Sequence, residues 1–385
     1  MKLKLGMSIF IQSVASDDKE ECKLMEEQNI ITYLSSVFTI ALIISYVLTP
    51  YAKRLACKLG AIDIPKDSRR VHKKPTPSLG GIAIYISFVI TTVIFAVFNK
   101  GMNFNSEFRG ILIGATLILI TGIIDDIKQI PAVYKLAIQV LAALIAVYGG
   151  VTIDFIKFPP ASTEGGLIFL KALRIPMTVF WIIGITNTVN LIDGLDGLAA
   201  GVSTIASLSL AAVACNIEQY NVAILLAILA GASLGFLPYN FNPAQIFMGD
   251  AGSLVIGYLL ATISVEGVIK SATTIAVATP VLALGVPVFD TAFAIVRRLV
   301  NKKPIMEADK GHLHHRLLDH GLSQKQTVLI LYIISSVLGG SSIIISDVAK
   351  SSAYLIIGVT SILILYGAYR IGIVKKVAEK KGAKI

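Results

Sequence analysis

The chain has 385 residues, of which 55% are hydrophobic and only 15% are charged, and its net charge is +10. A soluble domain carries roughly 25% charged residues, so the composition excludes an ordinary soluble protein. The three scattered cysteines exclude a disulfide framework and a cysteine-based zinc site. Because apolar runs of about 20 residues recur along the chain, we expect an all-α, polytopic integral membrane protein.

The hydrophobic runs predict about eleven transmembrane helices in chain order. They cover residues 30–50, 79–98, 109–124, 132–149, 176–192, 198–215, 220–237, 252–267, 273–296, 326–346 and 352–371. Pro280 and Pro287 fall inside the ninth run and predict a kink there.

The flanking segments predict three parts of unequal size. Residues 1–28 form a polar, loosely ordered extension, residues 29–372 a single transmembrane domain, and residues 373–385 a basic tail. The first 24 residues are expected to stem from an upstream start codon, and N-terminal mass analysis of the native protein tests that expectation.

The distribution of Lys and Arg predicts the orientation in the membrane. Most of these residues lie in alternate loops, which the positive-inside rule assigns to the cytoplasm. The N-terminus is then outside and the C-terminus cytoplasmic. This explanation of the positive charge is favoured over nucleic-acid binding.

Four polar clusters lie at the ends of predicted spans, all on the cytoplasmic side. They are Asp125-Asp126, Asn187 to Asp196, Asn240 to Asp250, and His312 to His315. An ionisable group at membrane depth is costly unless it faces protein, water or an ion. The clusters therefore predict one binding site at the cytoplasmic membrane face.

The acidic pair Asp125-Asp126 closes the third span. A helix C-terminus disfavours anions, so the pair favours a role in cation binding or proton transfer. Lys135, near the start of the fourth span, is spaced to face the same pocket. The alternative is a solvated helix end.

The stretch around Asn190, Asp193 and Asp196 spaces its polar residues three apart. That spacing places them on one helix face or around one turn, and the intervening glycines let backbone N–H groups approach a ligand. The alternative is a Gly/Asp turn that only joins two spans.

Asp250, in a loop of turn-forming residues, suits a hard cation such as Mg²⁺. Phe247 is placed to stack on a base. The alternative makes Asp250 or Ser253 the N-cap of the following helix.

Two basic segments favour phosphate binding. His312, His314, His315 and Arg316 lie in a basic loop without a nearby cysteine, so phosphate binding is favoured over zinc. Lys73 and Ser78 belong to a second basic stretch, which lines an anionic pocket or binds anionic lipid headgroups. The alternative for the Lys and Arg residues is topology alone.

An acidic, metal-binding pocket ringed by cations meets the requirements of phosphoryl transfer. Two other classes of protein stay open. A secondary transporter would place its polar groups mid-span and show inverted repeats, and no repeat is detected. A non-catalytic nucleotide-sugar binding protein would lack Asp125 or Asp250, and this chain has both.

The motifs together resemble the polyprenyl-phosphate N-acetylhexosamine-1-phosphate transferase family, of the glycosyltransferase family 4 type. The matching pieces occur in the family's order: KKPTPSLGG (73–81), DD (125–126), NLIDGLDGLAAG (190–201), FMGDAGS (247–253) and HLHHRL (312–317). The resemblance implies transfer of N-acetylhexosamine 1-phosphate from a UDP-sugar to undecaprenyl phosphate, with release of UMP and with Mg²⁺ or Mn²⁺ as cofactor. It also implies an active site at the cytoplasmic face of the plasma membrane, a role in the first membrane step of cell-envelope polysaccharide synthesis (teichoic acid or lipopolysaccharide), and a homodimer.

By this resemblance, individual positions acquire roles. The catalytic residues are Asp125, Asp126 and Asp193, and the metal ligands are Asp250 and Asn190. The uracil site comprises Gly194, Leu195, Asp196 and Phe247, and the phosphate site comprises Lys135, His314, His315 and Arg316. Further pocket candidates are Asn187, Lys73, Ser78 and His312. The PTPSLGG and HLHHRLLDHG forms favour the GlcNAc branch, and the phospho-MurNAc-pentapeptide branch is the alternative.

Overall fold

The structure, a computed structural model, describes residues 2–65, 74–98, 105–157, 167–270, 277–300, 311–348 and 350–370. In these ranges the chain is a bundle of α-helices, which confirms the all-α prediction. The helices are α1 Lys2–Leu59, α2 Gly80–Phe98, α3 Ser106–Lys128, α4 Ala132–Gly149, α5 Arg174–Ile192, α6 Leu198–Asn216, α7 Tyr220–Asn240, α8 Gly249–Ser264, α9 Ala278–Ala283, α10 Gly285–Val300, α11 Leu313–Asp319, α12 Gln324–Asp347 and α13 Lys350–Arg370.

Within the described ranges, nine helices are long and apolar enough to cross a membrane. In α1 the membrane-crossing part is Asn29–Leu59, and in α13 a shorter apolar stretch covers Ser352–Gly367. The polytopic prediction is therefore confirmed. The three-part division of the chain and its orientation in the membrane stay predictions.

The predicted ninth span is wrong as a single helix. Its described part consists of the short α9 and of α10, which are separated at Leu284. Pro287 has no N–H to donate to the carbonyl four residues earlier, and its ring crowds that carbonyl. The expected kink is therefore a complete break.

Helix α8 is the centre of the bundle. It begins the apolar segment Gly249–Ile269, and 94% of the residues in the most apolar part of that segment are buried. It packs against α2, α3 and α5. The approach of α2 is so close that a Cβ atom at Gly81 would overlap the backbone of Gly252. Similarly, a Cβ atom at Gly122 in α3 would overlap Ala251. Small residues thus allow three helices to meet at the first turn of α8, as is common for helices packed in lipid.

The described residues also contain a 3-10 turn at Lys171–Leu173, a π-helical turn at Val265–Ile269 and two antiparallel pairs of strands. Strand β1 (Ile62–Asp63) pairs with β2 (Thr76–Pro77), and β3 (Phe155–Lys157) pairs with β4 (Leu167–Phe169). The chain after β2 bonds to the segment before α8: the Phe247 N–H donates to the Pro77 carbonyl at 2.8 Å, and the Gly80 N–H donates to the Phe247 carbonyl at 2.9 Å. The PTPSLGG and FMGD motifs are therefore one bonded unit.

Candidate active site

A polar cavity of about 380 Å³ opens at the end of the bundle where α3 and α5 finish and α8 and α12 begin. Six carboxylates line it: Asp63, Asp125, Asp126, Asp193, Asp196 and Asp250. The predicted residues Ser78, Asn190, Gly194, Leu195 and Phe247 also line it, as do Asn240 and Gly249 of the predicted Asn240 to Asp250 cluster. The lining residues that were not predicted are Ile62, Asp63, Gln129 and Gln324. Three of the four predicted polar clusters thus converge on one cavity.

Lys135 joins two carboxylates of this site that come from different helices, α3 and α8. Its Nζ atom lies 2.9 Å from Asp125 Oδ2 and 2.9 Å from Asp250 Oδ2. Helix α3 ends with Gln129 in a left-handed conformation (φ 53°), and α4 begins just after Pro131, so Lys135 returns to the end of α3. The ammonium ion offsets the repulsion between two carboxylates that are 125 residues apart in the sequence.

The Asp250 carboxylate is oriented by a second partner, Asn190. The amide nitrogen of Asn190 donates to Asp250 Oδ1 at 2.9 Å and to Ser253 Oγ at 2.8 Å. Because its nitrogen rather than its oxygen faces Asp250, Asn190 in this arrangement orients the carboxylate.

Asp126 caps α8 from a different helix. Its Oδ1 accepts the N–H of Asp250 at 3.0 Å, and its Oδ2 accepts the N–H of Ala251 at 3.1 Å. Ser78 Oγ donates to the same carboxylate at 3.3 Å. A carboxylate is favourable at the free N–H groups of a helix N-terminus. The alternative in which Asp250 or Ser253 caps α8 is therefore wrong, since Asp126 makes these contacts.

Asp193 lies just beyond the last residue of α5 and faces the cavity. Burial raises the pKa of its carboxyl to about 7, and the charges of Asp250 and Asp196 add to the rise. A carboxyl group with this pKa exchanges a proton readily near neutral pH.

The turn after α5 is bonded to the loop that precedes α8. Asp196 Oδ2 accepts from the Asn242 amide at 2.9 Å and from the Ala244 N–H at 3.1 Å. Asn240 Oδ1 accepts the Gly197 N–H at 3.1 Å. These bonds hold the predicted uracil-binding residues on one side of the cavity.

Asn187 does not line the cavity, contrary to the prediction. Its side chain and that of Gln139 exchange two hydrogen bonds, of 2.6 and 3.2 Å. Gln139 lies four residues after Lys135, and Asn187 lies three residues before Asn190. The amide pair therefore fixes α4 against α5 so that Lys135 and Asn190 both reach Asp250. The sequence signal for Gln139 was a lone amide in an apolar helix.

The histidine motif lies behind the cavity wall. His314 is buried, and its Nε2 atom is the side-chain atom nearest to the position of a Cβ at Gly194. Burial lowers the pKa of His314 to about 3, and His315 and His312 add to the fall while Asp290 opposes it. These surroundings therefore favour the neutral form of the His314 imidazole at pH 7.

The other three members of the histidine motif each contact a different neighbour. His312 Nδ1 lies 2.9 Å from Oδ2 of Asp290, an acid in α10 that belongs to none of the sequence motifs. Arg316 Nε donates to the Gly311 carbonyl at 3.1 Å. The His315 ring lies 4.3 Å from that of His314. None of the three is among the lining residues of the cavity, and Lys73 lies outside the described residues.

The carboxylates of the cavity fit a Mg²⁺ ion that takes its remaining ligands from a substrate. Among the described residues, no three carboxylate, imidazole or thiolate groups are close enough to hold an ion unaided. Mg²⁺ commonly uses only one or two carboxylates and completes its shell with water and substrate phosphates. Asp250 and Asp193 line the same cavity and meet that requirement.

Taken together, the helical bundle and its acidic, lysine-bridged cavity define an integral membrane protein with a charged site at one end. Residues 108–268 match the model of glycosyl transferase family 4. A probable undecaprenyl-phosphate N-acetylglucosaminyl 1-phosphate transferase of Bacillus subtilis (strain 168) is 40% identical over 86% of this chain and 88% of its own length. A decaprenyl-phosphate N-acetylglucosaminephosphotransferase of Mycolicibacterium smegmatis is 33% identical over 86% of both chains. The chain therefore belongs to glycosyl transferase family 4.

A phospho-N-acetylmuramoyl-pentapeptide-transferase of Caldanaerobacter subterraneus subsp. tengcongensis is also similar. It is 35% identical over 59% of this chain and 72% of its own length. The similarity to the two N-acetylglucosamine transferases thus covers more of the chain.

Proposed function

We propose that the protein transfers N-acetylglucosamine 1-phosphate from UDP-N-acetylglucosamine to undecaprenyl phosphate and releases UMP. The observation that carries this proposal is the cavity itself, where Lys135 bridges Asp125 and Asp250 next to Asp193. The activities for which the similar N-acetylglucosamine transferases are named support the choice of substrates.

The reaction is a displacement at phosphorus. An oxygen of the lipid phosphate attacks the phosphorus atom that carries the sugar, and the bond from that phosphorus to the bridging oxygen breaks, so UMP leaves. Asp125 positions the lipid phosphate or takes its proton.

Two further groups assist the donor diphosphate. Mg²⁺ would be held by Asp250 and Asp193, and when bound it would neutralise the charge that develops on the phosphates. Lys135 adds a positive charge at the same place. The predicted phosphate ligands His315 and Arg316 lie on the helix behind Gly194 and would need to reach the diphosphate from there.

The nucleoside would occupy the side of the cavity formed by the turn after α5. Gly194, Leu195 and Asp196 line that side with Phe247, whose ring is available to stack on the uracil. The cavity would face the cytoplasm, since the positive-inside rule predicts that side, and the protein would lie in the cell membrane.

The test is a purified-protein assay that follows UMP release with Mg²⁺, undecaprenyl phosphate and either UDP-N-acetylglucosamine or UDP-MurNAc-pentapeptide. We expect turnover with the first donor, and with Asp125→Asn or Asp250→Asn we expect at least a roughly hundredfold loss. Asp154→Asn, a carboxylate that does not line the cavity, is the matched control. Turnover within tenfold of the parent in either cavity variant would exclude its role, and turnover only with the pentapeptide donor would replace the proposed substrate.

A further inference from the structure

Asp290 is a buried carboxylate that the proposed reaction does not use. It lies in α10, is 6% exposed, and lines an apolar cavity between α10, α12 and α13. A carboxylate in such surroundings is costly unless it is paired. Its contacts therefore indicate what it does.

Both oxygens of Asp290 bind the first residues of the histidine motif. Oδ1 accepts the Leu313 N–H at 2.7 Å, and Oδ2 lies 2.9 Å from His312 Nδ1. Leu313 is the first residue of α11. Asp290 thus attaches the beginning of α11 to α10 through one backbone and one side-chain contact.

The attachment continues to the wall of the polar cavity. The rings of His312 and His314 are parallel within 7°, with centroids 5.8 Å apart. His314 in turn fills the space behind Gly194, which lines the cavity beside Asp193. A chain of direct contacts therefore runs from Asp290 through two imidazoles to the turn after α5.

We propose that Asp290 is a positioning residue for the sugar-nucleotide donor: it fixes α11 so that His314 supports the Gly194 turn. This inference rests on the proposed function, because the turn is the predicted uracil site. Asp290 itself touches no substrate. Its loss changes donor binding more than the chemical step, because Asp125, Lys135 and Asp250 are held by other contacts.

The experiment compares Asp290→Ala and Asp290→Asn with the parent, all as full-length protein in detergent. The asparagine oxygen still accepts the Leu313 N–H, whereas alanine accepts neither contact. Asp319→Asn, at an exposed acid at the other end of α11, is the matched control. Steady-state kinetics give KM for UDP-N-acetylglucosamine and kcat, and hydrogen exchange followed by mass spectrometry reports on residues 311–320.

We expect Asp290→Ala to raise the donor KM by roughly tenfold or more while kcat stays within about threefold. Exchange in residues 311–320 is faster in this variant, and Asp290→Asn lies between it and the parent in both measurements. Loss of kcat at an unchanged KM would overturn the proposal, because a variant that only folds poorly gives that result. Unchanged exchange, or an unchanged KM despite faster exchange, would also overturn it. If the parent itself shows no turnover, the proposed function fails, and the exchange measurement still decides whether Asp290 holds α11.

Discussion

The Lys135 bridge provides the sharpest test of how the site is stabilised. Lys135→Met keeps most of the side-chain length and removes the ammonium ion, so Asp125 and Asp250 are left facing each other. The three side chains are 25%, 11% and 25% exposed, and each Nζ–Oδ distance is 2.9 Å. At an effective dielectric constant of about 20, each contact is worth about 6 kcal/mol before desolvation.

The net effect is smaller than this attraction because burial of all three charges already costs free energy. Breaking a buried pair by removing one partner typically costs about 3–5 kcal/mol. Since water reaches a quarter of the Lys135 side chain, we expect the free energy of unfolding to fall by about 3 kcal/mol.

Thermal unfolding in detergent, without divalent cations, measures this effect. The double variant Lys135→Met/Asp125→Asn has one carboxylate fewer, so it should be more stable than Lys135→Met alone. Lys135→Arg, which keeps the charge, is the control. If the two substitutions lower the Tm additively, the carboxylates do not repel each other and the reasoning is refuted.

The same variant also tests competition with a cation. With Lys135 absent, Asp125 and Asp250 are free to attract Mg²⁺, so added Mg²⁺ should raise the Tm of Lys135→Met more than that of the parent. Equal increases of Tm in the two proteins would show that the Lys135 ammonium ion does not occupy a position that Mg²⁺ can take.

Three further predictions concern the surroundings of the cavity. Gln139→Leu leaves the Asn187 amide without its partner, so we expect roughly a tenfold loss in the rate of UMP release and a lower Tm. An unchanged rate would show that the amide pair does not align α4 with α5. The pKa of Asp193 is about 7 in the folded protein and about 3.9 when unfolded, so the folded state retains a proton that the unfolded state has lost. Stability should therefore fall as pH rises from about 4 to about 7 and level off above, and Asp193→Asn should lose this decline when the Tm is followed without divalent cations. Gly81→Leu should prevent normal packing of α2 on α8 and lower the Tm strongly. Gly358→Ala, with no heavy atom within 4 Å of the new Cβ, should change the free energy of unfolding by no more than about 0.5 kcal/mol. Equal Tm values for the two variants would contradict the close approach.

The residues that the sequence predicted well share one property: they interrupt long apolar runs at span ends. Asp125, Asp193 and Asp250 were found in this way, and the structure brings them to one cavity. Their polarity is costly in lipid, so their position in the sequence already indicated a site.

Two of the residues that the sequence missed are single polar groups within apolar helices. Gln139 and Asp290 belong to no motif, and their partners lie 48 and 22 residues away. Periodicity and turn signals carry no information about such pairs, because only tertiary packing brings their partners together. The break at Leu284 was underestimated for a similar reason, since a proline in a membrane helix produces either a kink or a break according to its neighbours.

The first turn of α8 explains why residues so far apart in the sequence act at one place. A helix N-terminus exposes N–H groups that need partners inside a membrane protein, and Asp126 supplies two of them. The carbonyls of Phe247 and Met248 just before the helix accept N–H groups from the start of α2. The backbone N–H and carbonyl groups at this helix end therefore obtain their hydrogen-bond partners from α2 and α3. Because Asp250 is the second residue of that helix, the same contacts that satisfy its backbone also aim its carboxylate at Lys135 and Asn190.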